Sequence, residues 1–217
     1  AVRMLMESGA PHGDVCLLFS VAEEIGLKGA SALAIEELGL DFGYVLDTGP
    51  PVGSFVNKTA THDKLDVQVV GRQCHAKEPE LGISAIEVAA DAIHAMRLGR
   101  ISPNTTANVG VIQGGTGTNV VCPEVILRAE VRSTVTEESD AQVDVMVQNF
   151  EEAARARQGT VHIRHVRHYA AYEIDPGERV LALACSASRA LGFEPTLRTT
   201  LGGSDANSYN AKGVPTI

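Results

Sequence analysis

Four runs that alternate polar and apolar residues, separated by two long helical spans, constrain this chain more than any single motif. The alternating runs cover residues 64–70, 105–112, 124–132 and 160–166, and the helical spans cover 83–98 and 137–157. A period of two marks a half-buried antiparallel strand, and apolar recurrence every three to four residues marks an amphipathic helix. The order β-α-β-β-α-β matches a ferredoxin-like sandwich. Such a sandwich covers one face of its sheet with both helices and leaves the other face free for a partner. This unit is placed at residues 61–168.

The flanks follow another pattern. Residues 14–20 form an apolar run that reads as a buried strand, 29–38 as a helix, and Tyr44-Val45-Leu46-Asp47 as a short strand. That is β-α-β, the unit of a parallel sheet. Beyond Pro176 the same style returns: a helix over 178–191, a strand over 196–200, and a Gly-rich turn, Gly202-Gly203-Ser204-Asp205, that opens a helix ending near Lys212. The expected fold is therefore α/β. A mixed sheet with helices, residues 1–60 and 169–217, is interrupted by the smaller sandwich.

Composition narrows the partners. A net charge of −9 argues against nucleic acid. No apolar run approaches the roughly 20 residues of a membrane span. Cys16, Cys74, Cys122 and Cys185 are scattered without paired spacing, which fits reduced thiols in a cytoplasmic protein better than a disulfide framework.

Several residues could carry chemistry. Glu23 and Glu24 follow the apolar run and precede Gly26 and Gly29, so they lie at a strand end, where α/β proteins place ligands. One carboxylate can bind a metal while its neighbour moves a proton. Glu-Glu pairs also occur at 36–37, 137–138 and 151–152, in helical stretches where they read as solvated faces. Asp47 ends a strand of the same part; it either converges with Glu24 or caps the Thr48-Gly49 turn. His75 lies on a loop rich in Pro and Gly, exposed and orientable, or merely at the surface. His162, His165 and His168 do not share a face on an alternating strand and read as structural or solvated. Gly114 to Asn119 looks like a phosphate cradle but leads into a strand, where a cradle leads into a helix N-terminus; it reads as a tight connection that holds Asn119 outward. Arg132 ends a strand, suited to bidentate carboxylate recognition or to a surface ion pair.

Taken together, Val21 to Ala30, Asp47-Thr48-Gly49, Gly71 to Ile86, Gly114 to Pro123, and Gly202 to Asn207 with Gly213 to Thr216 resemble, in order and spacing, one family. It is the co-catalytic zinc metallopeptidase family of carboxypeptidase G, aminoacylase-1 and peptidase T, with the peptidase T-like branch nearest. The resemblance implies that Glu23 is the general base, that Glu24 and Asp47, 47 − 24 = 23 positions apart, each ligate one of two zinc ions, and that cobalt or manganese could replace zinc. It implies that His75 reaches the active site of a partner subunit and polarises the oxyanion. Asn119 and Arg132, 132 − 119 = 13 apart, would bind substrate, with Arg132 on its carboxylate, and Gly202 and Gly203 would shape the pocket. The sandwich would be a lid and the face of a homodimer. The implied activity is hydrolysis of small peptides; hydrolysis of N-acyl amino acids and a non-catalytic binding or dimerisation role are the alternatives. Relatives carry a His-x-Asp motif and a bridging Asp before the first motif here and a His after the last. The chain therefore reads as a fragment with two of five expected ligands, and is expected to hold no zinc pair tightly.

Overall fold

The computed structural model describes residues 2–217. The chain begins with helix α1 (Val2–Ser8), and after a long turn comes the short helix α2 (Lys28–Ala32). Strand β1 (Ser54–Lys58) leads into β2 (Thr61–Val70), α3 (Ala85–Ala95), β3 (Gly99–Arg100), β4 (Thr105–Gly114), β5 (Glu124–Ser133), α4 (Thr136–Ala156) and β6 (Thr160–Tyr169). Helix α5 (Arg179–Ala190), β7 (Thr196–Thr199) and α6 (Asp205–Ala211) complete it.

The antiparallel sheet has the order β3-β4-β5-β2-β6. Omitting the two-residue β3, the order β4-β5-β2-β6 with helices after β2 and β5 is the ferredoxin-like arrangement expected from the alternation. Leu65, Val67 and Val69 of β2 and Val125, Leu127 and Val131 of β5 project to one face. They pack with Val88 of α3 and with Met146 and Phe150 of α4. The opposite face carries Lys64, Asp66, Gln68, Arg128 and Arg164, whose ion pairs such as Arg164 to Asp66 remain exposed. Burying the apolar face at roughly 1.5–3 kcal/mol per large side chain is what holds sheet and helices together.

Where the sandwich meets the rest of the chain, polar groups replace apolar ones. Asp63 is fully buried on the helix side of β2. Its carboxylate accepts bonds from Arg167 (3.0 Å through both Nε and Nη2), His165 (2.8 Å) and Ser139 of α4 (2.7 Å). Burial pushes this carboxyl up, but those donors outweigh it and hold its pKa below the usual carboxylate range. The register pairs His162 with Gln68 and His165 with Leu65, so the two histidines do face opposite sides.

The flanks form more loosely than the sequence implies. Residues 14–20 make no strand and are exposed, with Phe19 at 90%. An extended segment gains its ladder only from a neighbouring strand, and none of the described residues pairs with it. Tyr44 to Asp47 likewise stays outside a strand. Its pairing is a parallel bridge from Gly43 to Thr216, extended by Val45 donating to the Ile217 carbonyl at 2.8 Å. The helix expected over 29–38 splits into α2 and a 3-10 turn, Ile35–Leu38, because Leu33 turns extended. The Lys212 ammonium takes the carbonyls left open at that break: Ala30, Ser31 and Leu33. Strand β1, which pairs in parallel with β7, lies outside every strand read from the sequence.

Candidate active site

The acidic turn is tightly wound. The amides of Gly26 and Leu27 both bond the Glu23 carbonyl (3.0 and 2.9 Å), and the Gly29 amide bonds the Val21 carbonyl at 3.0 Å. A β-carbon at Gly29 would fall 2.4 Å from that carbonyl oxygen, so only glycine closes the turn this way. Ala22 and Leu27 adopt positive φ, 59° and 55°, on either side of the two glutamates. Such strain, of order 1–3 kcal/mol per residue, persists where surrounding structure enforces it and gathers at functional sites.

This winding brings Glu23 and Glu24 to one hollow of about 300 Å³ together with Asp47, Ser20 and Asp205. Asp205, the first residue of α6, is 8% exposed. One of its carboxylate oxygens accepts from the Ser20 hydroxyl, and the other is buried without a partner. Burial pushes the Glu23 carboxyl up, and the charges of Glu24, Asp47 and Asp205 push it further. A second hollow of about 400 Å³ adjoins the first at Asp47 and is lined by Phe55, Tyr172, Arg198, Gly202 and Gly203.

The polar face of the sandwich contributes a row of side chains at the same end. Arg132, His62 and Tyr169 are register partners across β5, β2 and β6. Arg132 Nε and Nη2 donate to Glu130 at 3.1 and 3.4 Å, and Nη1 donates to the Tyr169 hydroxyl at 3.3 Å and to the Leu201 carbonyl at 3.1 Å. Of the five guanidinium N–H groups, one on Nη2 is therefore left over. His62 bonds Glu130 through Nε2 at 3.0 Å. Burial, then the nearby Arg132 charge, lowers the His62 pKa to about 4, so the ring is neutral at pH 7 and donates from Nε2. Burial works against ionisation of Glu130, but Arg132 and His62 outweigh it and lower its pKa.

His75 and Asn119 stand elsewhere. His75 bridges Val120, and the Ala76 amide bonds the Asn119 carbonyl at 3.0 Å, so both lie in loops beyond the Val70 and Glu124 ends of β2 and β5. Arg132 lies near the other end of β5. At about 3.3 Å per residue, the loops are roughly 25 Å from it. Within one chain the structure thus unites Glu23, Glu24 and Asp47, sets Arg132, Gly202 and Gly203 beside them, and keeps His75 and Asn119 apart. The sequence reading passed over Asp205, Ser20, His62, Glu130 and Tyr169. Only Asp205 has a local signal, since it opens a helix capped by Ser204 and Asn207.

Clustered oxygen donors and an unpartnered buried carboxylate oxygen are chemically suited to a divalent cation. Among the described residues, however, no group of three or more His, Cys, Asp or Glu is arranged to hold one. The donors fit in kind and fall short in number. Among the same residues no helix is long and apolar enough to cross a membrane.

Residues 59–158 match the model of the peptidase dimerisation domain. The chain is 40% identical over 218 residues to YqjE of Bacillus subtilis, covering 100% of this chain and 59% of that protein. The crystal structure of the aminopeptidase PepT from Bacillus cereus superposes with a TM-score of 0.92 at 40% identity, over 99% of this chain and 58% of that one. A tripeptidase from Staphylococcus aureus gives 0.95 at 37% identity, again over 99% and 58%. The chain thus spans under two thirds of the length of the proteins it matches. The chain carries the dimerisation domain of the M20 peptidases and shares the fold of these two peptidase structures.

Proposed function

We propose that the protein carrying this chain hydrolyses the amide bond of small peptides, with Glu23 as the general base. The observation that carries this reading is the hollow shared by Glu23, Glu24, Asp47 and Asp205, beside the Gly202-Gly203 turn. The similarity to the Bacillus cereus aminopeptidase and the Staphylococcus aureus tripeptidase supports peptides as substrates.

Glu24 and Asp47 would each give an oxygen to one ion of a metal pair, zinc by the family resemblance. Such a pair, when bound, polarises a carbonyl and lowers the pKa of water. The chain's own residues do the rest. Burial raises the Glu23 carboxyl, which favours a group that takes a proton and returns it. It would take a proton from the attacking water and return it to the leaving amine. Gly202 and Gly203, which line the larger hollow, would shape the substrate pocket. His75 and Asn119, roughly 25 Å from Arg132 by strand rise, would serve the hollow of a second copy, which makes the sandwich both lid and homodimer face.

The test is turnover by the whole protein, supplied with zinc, cobalt or manganese, on tripeptides, dipeptides and N-acyl amino acids. Glu23→Gln should lower kcat about 10²–10⁴-fold, the usual contribution of a positioned base, with folding unchanged. Equal turnover by Glu23→Gln would refute the assignment. Cleavage of N-acyl amino acids in preference to peptides would move the substrate class to the deacylases.

A further inference from the structure

Tyr169 ends β6, where a regular strand would turn it toward the helices, on the side of Ile163 and Arg167. It does not face them. Between His62 and Asp63 of β2 the pairing with β6 shifts by one residue, so His168 is an extra residue and Tyr169 pairs with His62. Bulges of this kind re-aim side chains and are common beside active sites. Tyr169 thereby joins the polar face, its ring 5.3 Å from that of His62. It closes on Gly203 so tightly that a β-carbon there would lie 2.3 Å from Cζ and 2.7 Å from the hydroxyl oxygen.

The hydroxyl oxygen accepts from Arg132 Nη1 at 3.3 Å, and its own proton has no acceptor among the described residues. A hydroxyl that accepts from a cation is a stronger donor in turn. Burial, ahead of the opposing pull of Arg132, raises the phenol pKa, so the proton stays in place at neutral pH. The ring and hydroxyl sit against Gly203, which lines the larger hollow beside the proposed base.

We propose that Tyr169 is a catalytic donor in this hydrolase: its unspent O–H bonds the carbonyl oxygen of the scissile amide as that oxygen becomes anionic. This rests on the amide-hydrolase reading. As the water oxygen bonds the carbonyl carbon, the C=O π pair moves onto oxygen and the water's proton passes to Glu23. Collapse re-forms C=O and breaks C–N, and the proton from Glu23 goes to the nitrogen. Tyr169 lends a hydrogen bond throughout and loses no proton. Arg132, Glu130 and His62 position it.

Tyr169→Phe keeps the ring against Gly203 and removes only the hydroxyl. With a tripeptide as substrate, the whole protein should lose about 10²-fold in kcat, the typical cost of one oxyanion donor. KM should hardly move, and the urea midpoint should fall only by the loss of the Arg132 bond to the hydroxyl. If kcat stays within about threefold, or if KM rises while kcat holds, the ring is only packing or ground-state binding and the inference fails. A parallel Glu23→Gln variant separates the two readings. Turnover lost in Glu23→Gln but kept in Tyr169→Phe overturns the donor alone; turnover kept in Glu23→Gln overturns the hydrolase assignment and the donor with it.

Discussion

A β-carbon at position 203 has no space while Tyr169 is in place. It would lie 2.3, 2.5 and 2.7 Å from Cζ, Cε2 and the hydroxyl oxygen. The ring cannot swing aside freely, because His62 packs beside it and Arg132 bonds its hydroxyl. Forcing a methyl into such a contact costs about 1–3 kcal/mol. Displacing the ring also weakens the bond from Arg132, which contributes about 0.5–1.5 kcal/mol for a partly exposed pair. Gly203→Ala should therefore destabilise the protein by about 1.5–4.5 kcal/mol, combining those two terms. The decisive measurement is a double-mutant cycle with Tyr169→Ala, read by urea denaturation. Without the ring, the three nearest contacts of the added methyl are gone, so Gly203→Ala should cost less than about 0.5 kcal/mol in that background, leaving a coupling of at least about 1 kcal/mol. Equal destabilisation in both backgrounds would mean that the strain lies in the Gly202-Gly203 backbone and that Tyr169 does not brace the turn.

Two further perturbations probe the sandwich. Asp63→Ala removes the acceptor of Arg167, His165 and Ser139 from a site with 0% exposure. Breaking a buried pair costs about 3–5 kcal/mol, and the lower end applies because Arg167 is a third exposed and keeps Asp140; a loss under about 1 kcal/mol by urea denaturation would show that the pair contributes little. His62, with a folded pKa of about 4 against 6.5 for the free side chain, gives a pH dependence of known sign. Between those values the unfolded chain binds a proton that the folded chain refuses, so stability falls as pH drops from 6.5 toward 4, by up to about 3 kcal/mol at 1.36 kcal/mol per unit. An NMR titration placing the His62 pKa at 6 or above would contradict this.

What could be read from the sequence depended on whether a residue's partners lie close in the chain or repeat with a fixed period. The sandwich was legible because alternation at Leu65, Val67 and Val69, and helical recurrence at Met146 and Phe150, report burial directly. The apolar run at 14–20 gave the same local signal as a strand, yet Phe19 stands 90% exposed, since a ladder depends on a neighbour and not on composition. The glutamates and Asp47, which share one hollow, could be singled out because their motifs are local. Tyr169 was missed because one extra residue at His168 changes its face, and no period in the sequence announces a bulge; His62 and Glu130 were missed because they meet only across strands far apart in the chain.

The length of the sandwich bears on how the site is assembled. Ten-residue strands separate the row of Arg132, His62 and Tyr169 from the loops of His75 and Asn119. No rotamer spans the roughly 25 Å that strand rise sets between them. The first group is tied to the Gly-rich turn by the Arg132 bond to the Leu201 carbonyl, so it travels with the acidic hollow of its own chain. If His75 acts in catalysis, it must therefore act on another copy, and a variant at His75 should be rescued in mixed dimers by a copy defective only at Glu23. Tyr169 variants follow the opposite rule. Their defect stays with the hollow in which they sit, so a copy carrying both Glu23→Gln and Tyr169→Phe should still complement a His75 variant. The hollow of the His75-defective copy keeps its own Glu23 and Tyr169 and borrows only the distant histidine.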